Sequence, residues 1–233
     1  RTSLAFVTPS HQYPLGGVLP PSRREALIRW SGAAAAYVLE DDYDGEYRYD
    51  VKPIPPLYRS GHGRIIYIGT LSKTLSPTLR LGYLVLPKPL VEVFTRGKQI
   101  TDRHSVALEQ EALADLLASG AYERHVRKMR RSNAERRAAL ITALQENFGD
   151  AVEVAGSSAG LHIVVWFHHV ALAQEGLLID TALRHGIYPV SPLYLEQKPQ
   201  RAGLVMGYAS QSPGQIRNGV RRLAAALADM EPI

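Results

Sequence analysis

The chain has 233 residues, 45% hydrophobic and 21% charged, and its 27 lysines and arginines against 22 acids leave a formal net charge of +5. This is the balance of a globular chain with a real core, which excludes collagen, coiled-coil, low-complexity and disordered classes. The absence of cysteine excludes disulfide scaffolds, thiolate metal sites and cysteine nucleophiles.

In chain order, Leu4 to Val7 reads as a short buried strand ending at Thr8-Pro9. A strand this close to a first residue that is Arg1 and not methionine predicts a fragment lacking an upstream part. Thr8 to Gly17 holds too many prolines and glycines for an element interior and reads as a loop. Pro20-Pro-Ser-Arg-Arg24 opens a helix through Trp30, with Ser22 as the cap. Ala36 to Leu39 is a buried strand running into the acidic cluster Glu40-Asp-Asp-Tyr-Asp44. Arg64 to Ile68, followed by Gly69-Thr-Leu-Ser-Lys73, and Leu81 to Leu86 are two more strands. These runs lack in/out alternation, which predicts strands covered on both faces of an α/β sheet.

From Ser105 the pattern turns helical: Val106 to Leu117 is apolar at helical spacing, Gly120 breaks it, and a long basic helix follows from Tyr122 to about Asn147. Glu153 to Ala155 and Leu161 to Phe167 form a hairpin, Leu177 to His185 a helix stopped by Gly186, and Leu204 to Met206 a strand. Pro213 to Met230 is a terminal amphipathic helix capped by Ser212. The organisation expected is α/β, with residues 1–105 as part of a large domain with a mostly parallel sheet. Residues 106–147 are a helical connector and 148–233 a smaller α/β domain. Apolar stretches fall well short of the ~20 residues of a membrane-spanning helix, and no basic-then-apolar signal opens the chain; a cytoplasmic location is expected.

Chemistry concentrates where strands end, because ligands of open α/β sheets bind at the carboxyl ends of their strands. If Asp41 and Tyr43 extend their strand, i, i+2 spacing puts a carboxylate and a phenol on one face. Lys73 follows the hydroxyls of Thr70 and Ser72, and Arg80 offers a fork matched to phosphate oxygens. A nucleotide P-loop needs glycines where Ile68 and Ser72 stand. Amine, carboxylate, phenol and a hydroxyl-plus-arginine cup are what pyridoxal phosphate requires: a Schiff base, a partner for the pyridine nitrogen, a partner for the ring hydroxyl, and phosphate ligands.

The stretches Thr8-Pro-Ser-His-Gln-Tyr-Pro-Leu-Gly16, Leu39-Glu-Asp-Asp-Tyr-Asp-Gly-Glu-Tyr-Arg-Tyr-Asp-Val-Lys-Pro-Ile-Pro55, Tyr67-Ile-Gly-Thr-Leu-Ser-Lys-Thr-Leu-Ser-Pro-Thr-Leu-Arg-Leu-Gly-Tyr83 and Tyr122-Glu-Arg-His-Val-Arg-Lys-Met-Arg-Arg131 resemble the aminotransferase-like domain of MocR regulators, a branch of the GntR family. The resemblance spans nearly the whole chain. It implies the fold of pyridoxal-phosphate-dependent transferases (aminotransferase fold type I), a homodimer, and an amino-terminal winged helix that makes the DNA contacts and is missing from this sequence. By position it makes Lys73 the Schiff-base lysine, Asp41 the pyridine partner with Asp42 as rival, and Tyr43 the ring-hydroxyl partner. Ordinary class I enzymes separate acid and tyrosine by three positions, not two, which keeps that rivalry open. Thr70, Ser72 and Arg80 resemble the phosphate ligands, Tyr13 a ring neighbour, and Arg201 the substrate-carboxylate arginine. The implied function is an effector-sensing, dimerising domain of a transcription regulator, with an amino-acid-like amine or pyridoxal phosphate itself as effector. The rival is an active class I aminotransferase.

Other features have plainer readings beside sharper ones. The arginines of the Tyr122 helix read as a solvated connector pairing with acids, against nucleic-acid binding. His125 reads as an ordinary helix histidine. His168 and His169, adjacent in a strand, point to opposite faces, so no metal site is expected. His11 and Gln12 either line a pocket or belong to a turn held by Pro14 and Gly16, and Gly160 to His162 either lines the substrate side or is only a hairpin.

Overall fold

A computed structural model describes residues 2–49, 54–171, 175–183, 187–196 and 199–228. The motif residues 50–53, the expected helix stop at Gly186 with His185 before it, and the expected last helical residue Met230 lie outside these. The chain forms two compact units: Arg1–His11, Gly17–Glu46 and Lys52–Met129 make the first, and Gln12–Gly16, Tyr47–Val51 and Arg130–Ile233 the second.

The first unit is built on a four-stranded sheet of β1 (Leu4–Val7), β2 (Tyr37–Asp42), β3 (Ile65–Thr70) and β4 (Gly82–Val85), in that order. β1 and β3 both run parallel to β2, with Val38 opposite Ile65 and Asp42 opposite Gly69. β4 turns back antiparallel to β3, pairing Gly82 with Thr70. The expected, mostly parallel α/β sheet is therefore present, with one antiparallel edge. Helix α1 (Pro21–Ala33) packs Leu27, Ile28 and Trp30 over Val38, Leu57 and Ile65, which with Ala5 and Val7 form the core of this unit. Each such fully buried aliphatic side chain contributes about 1.5–3 kcal/mol.

Coverage of both sheet faces holds in the middle of the sheet, where adjacent Ile65 and Ile66 of β3 are both buried, and is lost at the edge strands. Leu4 and Phe6 of β1 are 52% and 61% exposed, and Leu84 of β4 is exposed on the same face. In this chain α1 covers one face only, so β1 alternates between exposed and half-buried positions. The α1 cap also differs: the helix starts at Pro21 behind Pro20, and Ser22 sits inside the first turn. Proline's fixed φ and missing N–H suit the first helical position, so the Pro-Pro pair sets the start without a hydroxyl cap.

A helix that the sequence reading did not assign, α2 (Lys88–Asp102), follows β4. It opens on Pro87 and is laced by exposed pairs such as Glu92 with Arg96 at 2.6 Å. Helix α3 (Ala107–Ala118) ends at Gly120, whose φ of +66° is the left-handed conformation that glycine tolerates best. Helix α4 (Ala121–Phe148) then runs unbroken, and the division between units falls inside it, between Met129 and Arg130. No described helix is long and apolar enough to cross a membrane.

The second unit carries an antiparallel sheet. Strands β5 (Val152–Ala155) and β6 (His162–Ala171) form the expected hairpin, and β8 (Arg201–Gly207) lies between β6 and the short β7 (Tyr188–Pro189). Its core joins Leu140, Ala143 and Leu144 of α4 to Ile163, Val165 and Phe167 of β6, Leu204 and Met206 of β8, and Val220 and Leu223 of α6 (Pro213–Ala228). Helix α5 (Glu175–Leu183) adds Leu178. Ser212 caps α6 as expected, in a reciprocal box: Gln215 N–H donates to Ser212 Oγ at 3.3 Å and Ser212 N–H to Gln215 Oε1 at 2.9 Å.

Candidate functional site

Parallel pairing of β1, β2 and β3 brings three strand ends to one edge of the first unit's sheet. After β1 comes His11, at the end of β2 come Asp41 to Asp44, and at the end of β3 come Thr70, Ser72 and Lys73. Because β4 starts from this same edge, Arg80 stands there too. Its connection is closed at the neck, where Leu71 N–H donates to Leu81 O at 3.1 Å. Inside it Thr70 Oγ1 accepts from Ser72 N–H at 3.1 Å, and Leu75 N–H donates to Leu71 O at 2.9 Å. Lys73 is exposed on this turn. Arg80 follows the short helical turn Pro77–Leu79 at φ 51°, ψ 33°, a left-handed conformation that non-glycine residues rarely take.

The two neighbouring acids differ. Asp42 Oδ2 accepts a hydrogen bond from Tyr67 at 3.0 Å, and Ser10 also bonds this carboxylate. Burial nevertheless pushes the Asp42 carboxyl above its ordinary range, and burial beside Asp42 pushes the Tyr67 phenol far up. Asp41, one residue earlier and so on the opposite face of β2, accepts no hydrogen bond from a described residue. Its carboxyl is raised by burial and by the charges of Asp42 and Asp44. Tyr43 lies one residue past the end of β2 and not within it as expected, because the ladder with β3 closes at Asp42 and Gly69. Its phenol oxygen is 3.2 Å from His11 Nδ1, which lies 2.8 Å from Asp44 Oδ2.

Other charges here are structural. Glu40, fully buried, accepts from Leu57 N–H at 2.7 Å and Tyr58 N–H at 2.9 Å, tying the Leu57–Arg59 turn to β2. Burial raises its carboxyl despite both bonds. Arg24 joins three loops through the carbonyls of Pro9, Leu19 and Pro55.

Two expected site residues belong to the second unit. Tyr13 is 50% exposed and stands edge-on to His162, ring centroids 5.3 Å apart, while His162 Nε2 lies 2.9 Å from Pro14 O. Arg201 opens β8, where its guanidinium pairs with Glu153 at 2.6 Å, lies 3.1 Å from His168 Nδ1 and rests over Trp166. The arginines of α4 are partly spent on the fold: Arg136 donates to Ala209 O at 2.8 Å, and Arg137 lies over Tyr49.

Sequence reasoning missed Tyr67, Thr74 and Tyr122. Tyr67 is the polar break in the apolar run Ile65 to Ile68, a period-2 signal that could have found it. Tyr122 Oη donates to Thr74 Oγ1 at 3.0 Å, and His125 Nε2 lies 2.9 Å from Thr74 O. No local pattern predicts a contact between residues so far apart in the chain.

The fold is that of pyridoxal-phosphate-dependent transferases of fold type I. The chain belongs to the family of class I and II aminotransferases, whose profile matches residues 4–223. It superposes on the multiple substrate aminotransferase of Thermococcus profundus with a TM-score of 0.84 at 25% identity, covering 98% of this chain and 57% of that one. On LysN, the α-aminoadipate aminotransferase of Thermus thermophilus, the TM-score is 0.81 at 26% identity, covering 96% of this chain and 58% of that one. In sequence the chain is 38% identical over 230 residues to the uncharacterized HTH-type transcriptional regulator YhdI of Bacillus subtilis, covering 97% of itself and 48% of the relative. It is 36% identical over 231 residues to the probable rhizopine catabolism regulatory protein MocR of Rhizobium meliloti, with 98% and 46% covered. With PdxR, the pyridoxine biosynthesis regulator of Corynebacterium glutamicum, identity is also 36%, with 91% and 46% covered. The chain thus spans about half the length of the curated relatives it matches. Fold and family together imply pyridoxal phosphate as cofactor.

Proposed function

We propose that this chain is the effector-sensing, dimerising domain of a pyridoxal-phosphate-dependent transcription regulator. The observation that carries the reading is its similarity, over nearly its whole length, to helix-turn-helix regulators. DNA contact falls to a winged-helix part of the longer protein.

The donor set fits the cofactor. Lys73 supplies the amine that holds the aldehyde. Asp41 offers the pyridine nitrogen a carboxylate that no described residue engages, in a cluster where Asp42 and Asp44 crowd it with like charge and a cationic N–H would relieve that repulsion. Tyr43 presents its phenol to the ring hydroxyl, and Thr70, Ser72 and Arg80 take the phosphate. When bound, the cofactor supplies an electrophilic aldehyde that exchanges amines and a ring that withdraws electrons. With the cofactor bound, Lys73 would be the amine with which an amino-acid-like effector competes. An effector that binds one conformation better shifts the protein toward it, which is the physical content of sensing. Pyridoxal phosphate itself acts as effector if its arrival is what orders Lys73 and Asp41.

The test is intact mass before and after borohydride reduction with pyridoxal phosphate, then peptide mapping, beside a steady-state assay with amino donors and 2-oxo acids. An adduct on Lys73 with no sustained turnover is expected. An adduct on another lysine, or none, overturns the site; multiple turnovers would instead establish an aminotransferase, in which freed Lys73 moves the substrate proton as general base.

A further inference from the structure

Thr74 directly follows Lys73 and is 2% exposed, although Lys73 beside it faces solvent. Its burial comes with two bonds from the start of α4. The Tyr122 phenol donates to its hydroxyl at 3.0 Å, and His125 Nε2 lies 2.9 Å from its carbonyl oxygen. A carbonyl accepts only, so this contact places the proton on Nε2. Tyr122 and His125 are i, i+3 neighbours and share one face of the helix. Burial raises the Tyr122 phenol, so it stays a protonated donor at neutral pH.

Neither bond belongs to sheet pairing. The ladder between β3 and β4 ends at Thr70 and Gly82, and the turn after it is closed on its own backbone by the Leu75 to Leu71 bond. What α4 adds is a hold on Thr74, the neighbour on the carboxyl side of the lysine, as the Ser72 N–H bond to Thr70 holds the neighbour on the amino side. A long, flexible side chain presents its amine reproducibly only when the atoms it springs from are fixed.

We propose that Tyr122 and His125 are positioning residues for Lys73, acting through Thr74; the inference rests on the reading of Lys73 as the cofactor lysine. Any event that displaces the Lys73 turn must stretch or break these two bonds, so the start of α4 senses the state of the lysine.

The experiment compares the unsubstituted protein with Tyr122→Phe, His125→Leu and the donor-preserving His125→Gln. Two quantities are read: the rate at which borohydride traps pyridoxal phosphate on Lys73, and hydrogen exchange of the Leu75 amide without cofactor. Loss of one neutral hydrogen bond predicts trapping about fivefold slower and Leu75 exchange about fivefold faster in Tyr122→Phe and His125→Leu. His125→Gln should stay near the parent, and Tm and exchange elsewhere should hold. Unchanged trapping and exchange, or trapping that falls only with Tm and with exchange rising uniformly, overturns the inference. If the unsubstituted protein traps nothing on Lys73, the cofactor reading fails by itself. Leu75 exchange then still decides whether these two side chains order the turn.

Discussion

Tyr67 donates its phenol to Asp42 at 3.0 Å, and this bond makes two neighbouring acids unequal. Asp42 is bonded to Tyr67 of β3 and to Ser10, while Asp41 accepts no hydrogen bond from a described residue and is the acid proposed for the pyridine nitrogen. Asp41→Asn should therefore weaken pyridoxal phosphate binding about tenfold or more, through loss of a charge-assisted hydrogen bond of about 1.5–3 kcal/mol. Asp42→Asn should weaken it less. Titration followed by the cofactor's absorbance checks the order, and the reverse order would assign the pyridine partner to Asp42.

The pH dependence of stability has a definite sign at Asp42. Its folded pKa lies above the ordinary 3.8, so the native state holds the proton more tightly than the unfolded chain does. Its contribution to stability is fully present below 3.8 and is lost as pH rises through the raised value. Asp42→Asn removes this loss, so urea unfolding should show the variant gaining on the parent as pH rises from 3.8 into the weakly acidic range. A constant difference across that range would contradict it.

Lys73→Ala should abolish the borohydride-trapped adduct, since it removes the amine that the cofactor aldehyde would be reduced onto. Peptide mapping that still finds the cofactor, now on another lysine, would move the site.

His11 and Asp44 form a buried pair at 2.8 Å, each side chain at most 2% exposed. His11→Ala leaves Asp44 buried without this partner and should cost about 1–3 kcal/mol, the cost of a buried acceptor that loses its hydrogen-bond partner. It should also loosen the Tyr43 phenol. Urea denaturation measures the first effect, and a loss below about 1 kcal/mol would mean that water replaces the imidazole.

The placement of the candidate residues at strand ends was legible locally. Strand ends are visible as apolar runs that stop at polar or glycine residues, and parallel strands deliver their ends to one edge, so Asp41, Lys73 and Arg80 could be grouped from sequence order. The resemblance of the Thr8 to Gly16 and Glu40 to Asp44 stretches to MocR regulators supplied the remaining candidate roles. Helix α2 was missed although it is strongly amphipathic, with Leu90, Val93 and Phe94 at helical spacing, and in this chain Val91, Val93, Phe94 and Ile100 are exposed. Ser22 was misread as a cap because Pro20 and Pro21 can start a helix without a hydroxyl.

By itself the sequence determined most element types (though not α2), the α/β class and the candidate residues at the strand ends, because these depend on periodicity, strand-ending residues and side-chain type within short windows. Only the tertiary structure decided which acid is engaged, that Tyr43 stands beyond its strand against His11, that Glu40 caps a turn, and that α4 holds the residue after Lys73. The physical reason is that hydrogen bonds such as Tyr122 to Thr74 join residues far apart in the chain. Their partners are selected by packing, which leaves no mark in either segment alone.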